Sequence, residues 1–247
     1  KFHIFGDPAL RLPFPKFSDN IISESERPES ITLVEEQSLS ITNSDMNSSL
    51  LIRGNEKELA IGENDLFYSI PGVTYAQVNF TGSNGCFRIP LDASSCDNCS
   101  TDIYLYQDYN GLNGIIQFIP DISITGSDVN SNDTEGPEIQ IFQDDHPIVE
   151  GSVLLPTTDL KISLDDSSSG INLMETIGHG IRYAFDKDEL NLIPGVEFIY
   201  NTCSGGSVQI PVSEISGKHH FYLEAWDGVN NRSTIANNFD VLGTPPK

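Results

Sequence analysis

The chain has 247 residues, 38% hydrophobic and 9% aromatic, and its 13 Lys/Arg against 36 Asp/Glu give a formal charge of −23. That apolar content is enough for two modest cores, which excludes a globally disordered chain. The first 126 residues carry 7 basic and 17 acidic side chains and the rest 6 and 19, so neither half offers a basic face for nucleic-acid phosphates or anionic lipid.

In Lys1–Pro15, Phe2, Ile4 and Phe5 form the apolar end of a strand, and a Gly6-Asp7-Pro8 turn follows. Residues 19–30, DNIISESERPES, are polar and contain proline, and they are expected to be a linker. Strands are then expected over 31–41, 74–80, 85–91, 101–109 and 114–126, where apolar residues alternate or run in short bursts. Turn signals at Arg53-Gly54-Asn55, Ser83-Asn84-Gly85 and Asn110-Gly111 separate them. GSDVNSNDTEGP, 126–137, has Val129 as its single aliphatic residue and marks a boundary. Beyond it, strands are expected over 138–143, 160–166, 180–186, 196–202, 207–214, 219–228 and 237–243. Such short, closely spaced strands suit two packed antiparallel sheets. The expected fold is therefore all-β: two consecutive antiparallel, immunoglobulin-like β-sandwiches at 30–126 and 137–243. Residues 1–29 would precede them, a hinge at 127–136 would join them, and 244–247 would be a tail. No apolar run approaches the roughly 18 residues of a membrane span, so direct membrane insertion is not expected.

Hydrolytic and phosphate-binding signatures are missing: no Gly-x-Ser-x-Gly, no His-Glu-x-x-His, no Gly-rich loop before a helix. Cys86, Cys96, Cys99 and Cys203 with His3, His146, His179, His219 and His220 carry no local signature of a nucleophile–base pair. CDNC, 96–99, fits half a zinc site, a redox pair or a loop disulfide; four cysteines allow three pairings, and all remain open. DVNSND spaces Asp128, Asn130 and Asn132 as calcium loops do, but Asp133 stands where an EF-hand needs Gly and Ile139 where it needs Glu. An acidic hinge could still hold calcium through Asp128, Asp133 and Glu135. Asp165 and Asp166 are read as Asx-turn residues. His179, between Gly178 and Gly180, is read as hydrogen-bonded in a loop that needs glycine geometry, with a ligand or pH-sensitive contact as the alternative. On 219–228, Phe221, Leu223 and Ala225 share the core face, leaving Tyr222, Glu224 and Trp226 on the other. Trp226, or alternatively Tyr104, Tyr106 and Tyr109, could form a sugar or peptide platform, Tyr104 and Tyr106 falling on one strand face.

FGDPALRLPFP resembles the stretch that closes the catalytic region of gingipain-type cysteine peptidases. NDTEGPEIQIFQDD, LKISLDDSSSGIN, TIGHGIRYAFD, VQIPVSEISGKHHFYLEAWDGVNNRS and FDVLG are similar, in that order, to the C-terminal region of the PorU-like sortases of type IX secretion. GSNGCFRIPL and FIPDISITG match more loosely. The resemblance implies that residues 1–29 are the terminal strand of a peptidase domain otherwise absent here, plus a linker. The family's catalytic His and Cys lie upstream, so no catalytic or cofactor-binding residue is expected in this chain. The parent would attack a peptide bond through a thiol, remove a cargo's C-terminal signal and pass the cargo to a surface acceptor. The implied partners are that catalytic domain and outer-membrane secretion components. The implied place is the extracellular or outer-membrane surface of a Gram-negative bacterium. The implied role is a scaffold and docking region; the alternative is a surface adhesin or carbohydrate-binding module. Where the family has Asp after IGH, this chain has Gly180.

Overall fold

The computed structural model describes residues 16–18, 21–23, 26–41, 47–55, 57–61, 66–70, 72–94, 100–109, 113–126, 132–175, 179–186, 189–212 and 215–243. Lys1–Pro15, Asp128, the CDNC segment, Asn110-Gly111 and the tail at 244–247 lie outside them. No α-helix occurs among the described residues, and no helix there is long and apolar enough to cross a membrane.

Period-two alternation produces the strands. In chain order they are β1 Lys16–Phe17, β2 Ser30–Thr32, β3 Gln37–Ser40, β4 Asn47–Gly54, β5 Lys57–Ile61, β6 Leu66–Ile70, β7 Thr74–Thr81, β8 Asn84–Phe87, β9 Ser100–Tyr109 and β10 Asn113–Thr125. Past the boundary segment come β11 Glu138–Gln143, β12 His146–Pro147, β13 Val153–Leu154, β14 Leu160–Asp165, β15 Ile181–Phe185, β16 Asn191–Ile193, β17 Ile199–Tyr200, β18 Gly205–Ile210, β19 Gly217–Trp226 and β20 Arg232–Val241. The chain is thus all-β, with several sheets.

An 11-stranded sheet runs β1-β10-β9-β4-β7-β17-β18-β14-β11-β12, with β2 also on β10. A five-stranded sheet runs β13-β20-β19-β15-β16, and β3-β8 and β5-β6 form two-stranded ribbons. The large sheet crosses between the two sequence blocks at one parallel pairing, Tyr200 opposite Val78. Below it, the buried apolar side chains of both blocks join in one cluster that runs from Ile21 to Val241. β19 shows why: Phe221, Leu223 and Ala225 are fully buried, each aromatic or leucine side chain contributing roughly 2–3 kcal/mol by burial.

Two expectations need correction. The run at 31–41 is not one strand: β2 pairs with β10 and β3 with β8, and the chain breaks direction at Val34, whose φ is +65°. A β-branched residue in that region is strained and ends any continuous strand. The segment at 19–30 is not a free linker either. Ile21 and Ile22 are buried, and the Ile22 N–H donates to Gln117 Oε1 at 2.7 Å.

Candidate functional site

Three loops meet at the far end of β19. They are the entry to the second block around Asp133, the turn after β14 at Asp166, and the turn after β19 at Asp227. Carboxylate oxygens of these three residues all lie within 4.8 Å of one another. Backbone donors orient them. Asp166 Oδ1 accepts from the N–H groups of Ser168 at 3.0 Å and Ser169 at 2.8 Å, the Asx turn the sequence suggests. Asp227 Oδ1 accepts from Val229 N–H at 3.0 Å and Asn231 N–H at 2.7 Å, and its Oδ2 from Asn231 Nδ2 at 2.8 Å. Ser169 Oγ lies 2.8 Å from Asp133 Oδ2 and 3.2 Å from Asp166 Oδ1, and its one proton serves one of them at a time.

Asp166 and Asp227 are buried. Burial pushes both carboxyls above the ordinary carboxylate range; Asp133's charge adds to the rise at Asp166, and Asp166's charge to that at Asp227. A cavity of about 620 Å³ opens beside them, lined by Asp133, Glu135, Glu138, Asp165 and Asp166 among others. An all-carboxylate set suits a hard divalent cation such as calcium, whose charge would relieve the crowding. Of the calcium residues expected from sequence, Asp133 belongs to this group. Glu135 is on the cavity rim, its N–H donating to Asp133 Oδ1 at 3.3 Å. In the sequence Asp227 stands before Gly228, a turn signal that says nothing of spatial neighbours.

Beside this corner lies a polar seam between the blocks, centred on Asp92 in a 3₁₀ turn at Leu91–Ser94. Asp92 Oδ1 accepts from Asn230 Nδ2 at 2.8 Å, and Oδ2 from Asn172 Nδ2 at 3.1 Å and His179 Nδ1 at 2.7 Å. Burial pushes the Asp92 carboxyl up, and the three hydrogen bonds more than offset it, so its net displacement is downward. Leu91 N–H donates to Gly228 O at 2.7 Å, and Arg88 bridges Val34 O at 2.8 Å and Ser167 O at 3.2 Å. A disulfide joins Cys86 on β8 to Cys203 beyond β17, across 117 positions. Tyr200 completes the seam: its buried hydroxyl accepts from Ile171 N–H at 2.8 Å and donates to Ile171 O at 3.0 Å. His179 is thus hydrogen-bonded in its loop, as expected, and Gly180 has φ +97°, where glycine is favoured.

The two alternative platforms lie on different sheets. Tyr104 stacks on Phe118 at 4.8 Å, on the outer face of the β9–β10 pair, and Tyr106 shares that face, covering Gly114. Trp226 sits on the other sheet, against His179 at 4.9 Å, with the Arg232 guanidinium 5.8 Å from its ring centre.

Sheets, seam and acidic corner together define an all-β, two-block chain whose polar side chains converge at the junction. Among solved structures, the chain is similar to dimeric latent PorU from Porphyromonas gingivalis: TM-score 0.43 at 20% identity, over 88% of this chain and 23% of that one. The chain therefore spans less than a quarter of the PorU chain's length. No family model and no curated protein matches the sequence.

Proposed function

We propose that this chain is the non-catalytic C-terminal part of a secreted, gingipain-like cysteine peptidase, akin to the PorU-like sortases. It forms two immunoglobulin-like sandwiches that act as a rigid scaffold and docking region. The observation that carries the reading is the seam. One sheet, one disulfide and the Asp92 network fasten the two blocks together, which is what a spacer needs in order to hold a catalytic domain at a set position. The ordered sequence resemblance through 133–243 supports the family. The disulfide supports an oxidising, extracytoplasmic location, since cytosolic thiols are kept reduced. Proposed partners are the parent's catalytic domain and outer-membrane secretion components.

A calcium ion held by Asp133, Asp166 and Asp227 would tie the entry loop of the second block to both turns of the junction. Assay of the purified chain against peptide substrates tests the main reading. It predicts no hydrolysis. Peptidase activity abolished by a thiol-blocking reagent would overturn it.

A further inference from the structure

At the start of β19, away from the acidic corner, His219 sits between two groups that can only accept hydrogen bonds. Its Nδ1 is 2.8 Å from Asp186 Oδ2 and its Nε2 is 3.0 Å from the backbone oxygen of Ser216. A neutral imidazole has a single N–H, so either tautomer would satisfy one acceptor and turn a lone pair on the other. Only the imidazolium, with a proton on each nitrogen, makes both bonds. We propose that His219 is a proton-operated latch, tying the turn after β15 to the loop that enters β19 while it is doubly protonated.

The latch closes on a corner that needs holding. Asp186 has φ +60° and Gly217 φ +88°, both in the left-handed region. Asp186 Oδ1 also accepts the His220 N–H at 2.9 Å, so one carboxylate anchors two consecutive residues of β19. The Asp186 carboxylate favours the protonated form. Among the described residues, Asp186 faces it from the end of β15; Lys218 and His220 are its neighbours on β19, and the β20 register sets Phe239 opposite His219 and Asp240 opposite Lys218. Glu150, before β13, accepts from the N–H and Nδ2 of Asn238, both at 2.7 Å, and Asn238 Oδ1 is 3.2 Å from His220 Nδ1. On the apolar side, the Phe185 ring meets His219 edge-on at 6.3 Å. The Asp186 bond raises the His219 pKa, against the opposing effect of burial, while the His220 N–H and His219 lower that of Asp186.

The direction in pH follows from these shifts. A histidine whose folded pKa is raised contributes stability that is complete below the ordinary histidine range and is lost as pH rises through the folded value. The latch is therefore made in mildly acidic medium and released toward alkaline pH, freeing the Asp186 turn from Ser216. It also lines a groove of about 610 Å³ floored by Val153 and Phe239, which would change shape on release.

Imidazole nitrogen NMR on the intact chain across pH 5–9 tests this. One histidine, assigned by its loss in His219→Gln, should carry protons on both nitrogens at pH 6 and titrate above the ordinary histidine range. Asp186→Asn should lower its midpoint by about one pH unit. A single neutral tautomer at pH 6, or a midpoint at or below that of an unstructured histidine, would overturn the proposal. If Asp186→Asn does not fold, the nitrogen shifts and midpoint of the unmodified chain decide alone.

Discussion

Cys86 and Cys203 are bonded across 117 positions, and the bond joins β8 of the first block to the turn between β17 and β18 of the second. It acts together with the pairing of Tyr200 and Val78, which carries the large sheet across the same junction. A covalent tie over so long a loop mainly restricts the unfolded chain, with a contribution of roughly 2–5 kcal/mol. Replacing both cysteines by serine, with Cys96 and Cys99 untouched, is expected to lower the melting temperature by on the order of 10 °C. Calorimetry on the oxidised chain and the double variant measures it; equal melting temperatures would remove the disulfide from the account.

Asp92 accepts from three side chains of the second block at once. Asp92→Ala leaves Asn172, Asn230 and His179 without that acceptor, and is expected to destabilise by roughly 2–4 kcal/mol. Its carboxyl is held below the ordinary range, so its contribution is present above that range and lost as pH falls through the folded value. Asp92→Asn should therefore flatten the acid limb of the stability profile, read from denaturant midpoints between pH 2 and 5. An unchanged limb would show that the seam does not depend on this charge.

At the three-aspartate corner the sign reverses. Asp166 and Asp227 are pushed up, so without a cation their charged forms oppose folding, and stability falls as pH rises from the ordinary aspartate range through the folded values. Bound calcium would reverse that slope. At a calcium concentration 100-fold above its dissociation constant, the gain is about 2.7 kcal/mol. Melting curves in chelator and in calcium, at pH 5 and 7, should separate most at pH 7. Asp166→Asn should abolish the separation. No effect of calcium on the unmodified chain would end the cation reading.

Gly180 stands where the resembled family has aspartate, and its φ of +97° explains why this chain is better served without a side chain. A Cβ there would also meet Leu192 Cδ1 at 3.3 Å. Gly180→Asp is expected to cost about 1–2 kcal/mol, against a few tenths for an exposed surface change. Chemical denaturation of the variant checks it, and a stabilising outcome would mean that the loop relaxes around the family's residue.

Much of the fold was legible because alternation survives where a sheet has one buried and one open face. β7, β9, β10, β11, β14 and β19 fall on the expected segments, and Phe221, Leu223 and Ala225 face the core. β4, between β9 and β7, carries a weaker alternation in the sequence because Ser48 occupies one of its buried positions and dilutes the pattern. The break at Val34 was hidden as well, since a valine with positive φ has no sequence signal. The site was harder to read. Asp166 lies 33 positions after Asp133, and Asp227 another 61 after that, so only the tertiary fold places them together. Asp92 is inconspicuous in LDAS, and its role exists only through Asn172, His179 and Asn230. Cys86 could have paired with any of three cysteines; packing at the junction selects Cys203.

Hydrogen exchange through a denaturant series, resolved separately for β9–β10 and β19–β20, bears most directly on the claim that the two blocks are one rigid unit. In the oxidised chain, both strand pairs are predicted to open together, at one midpoint, and to separate once Asp92 and the Cys86–Cys203 bond are removed. Separate midpoints in the unmodified chain would mean that the blocks fold independently and that the seam is only contact, leaving the scaffold reading without its support.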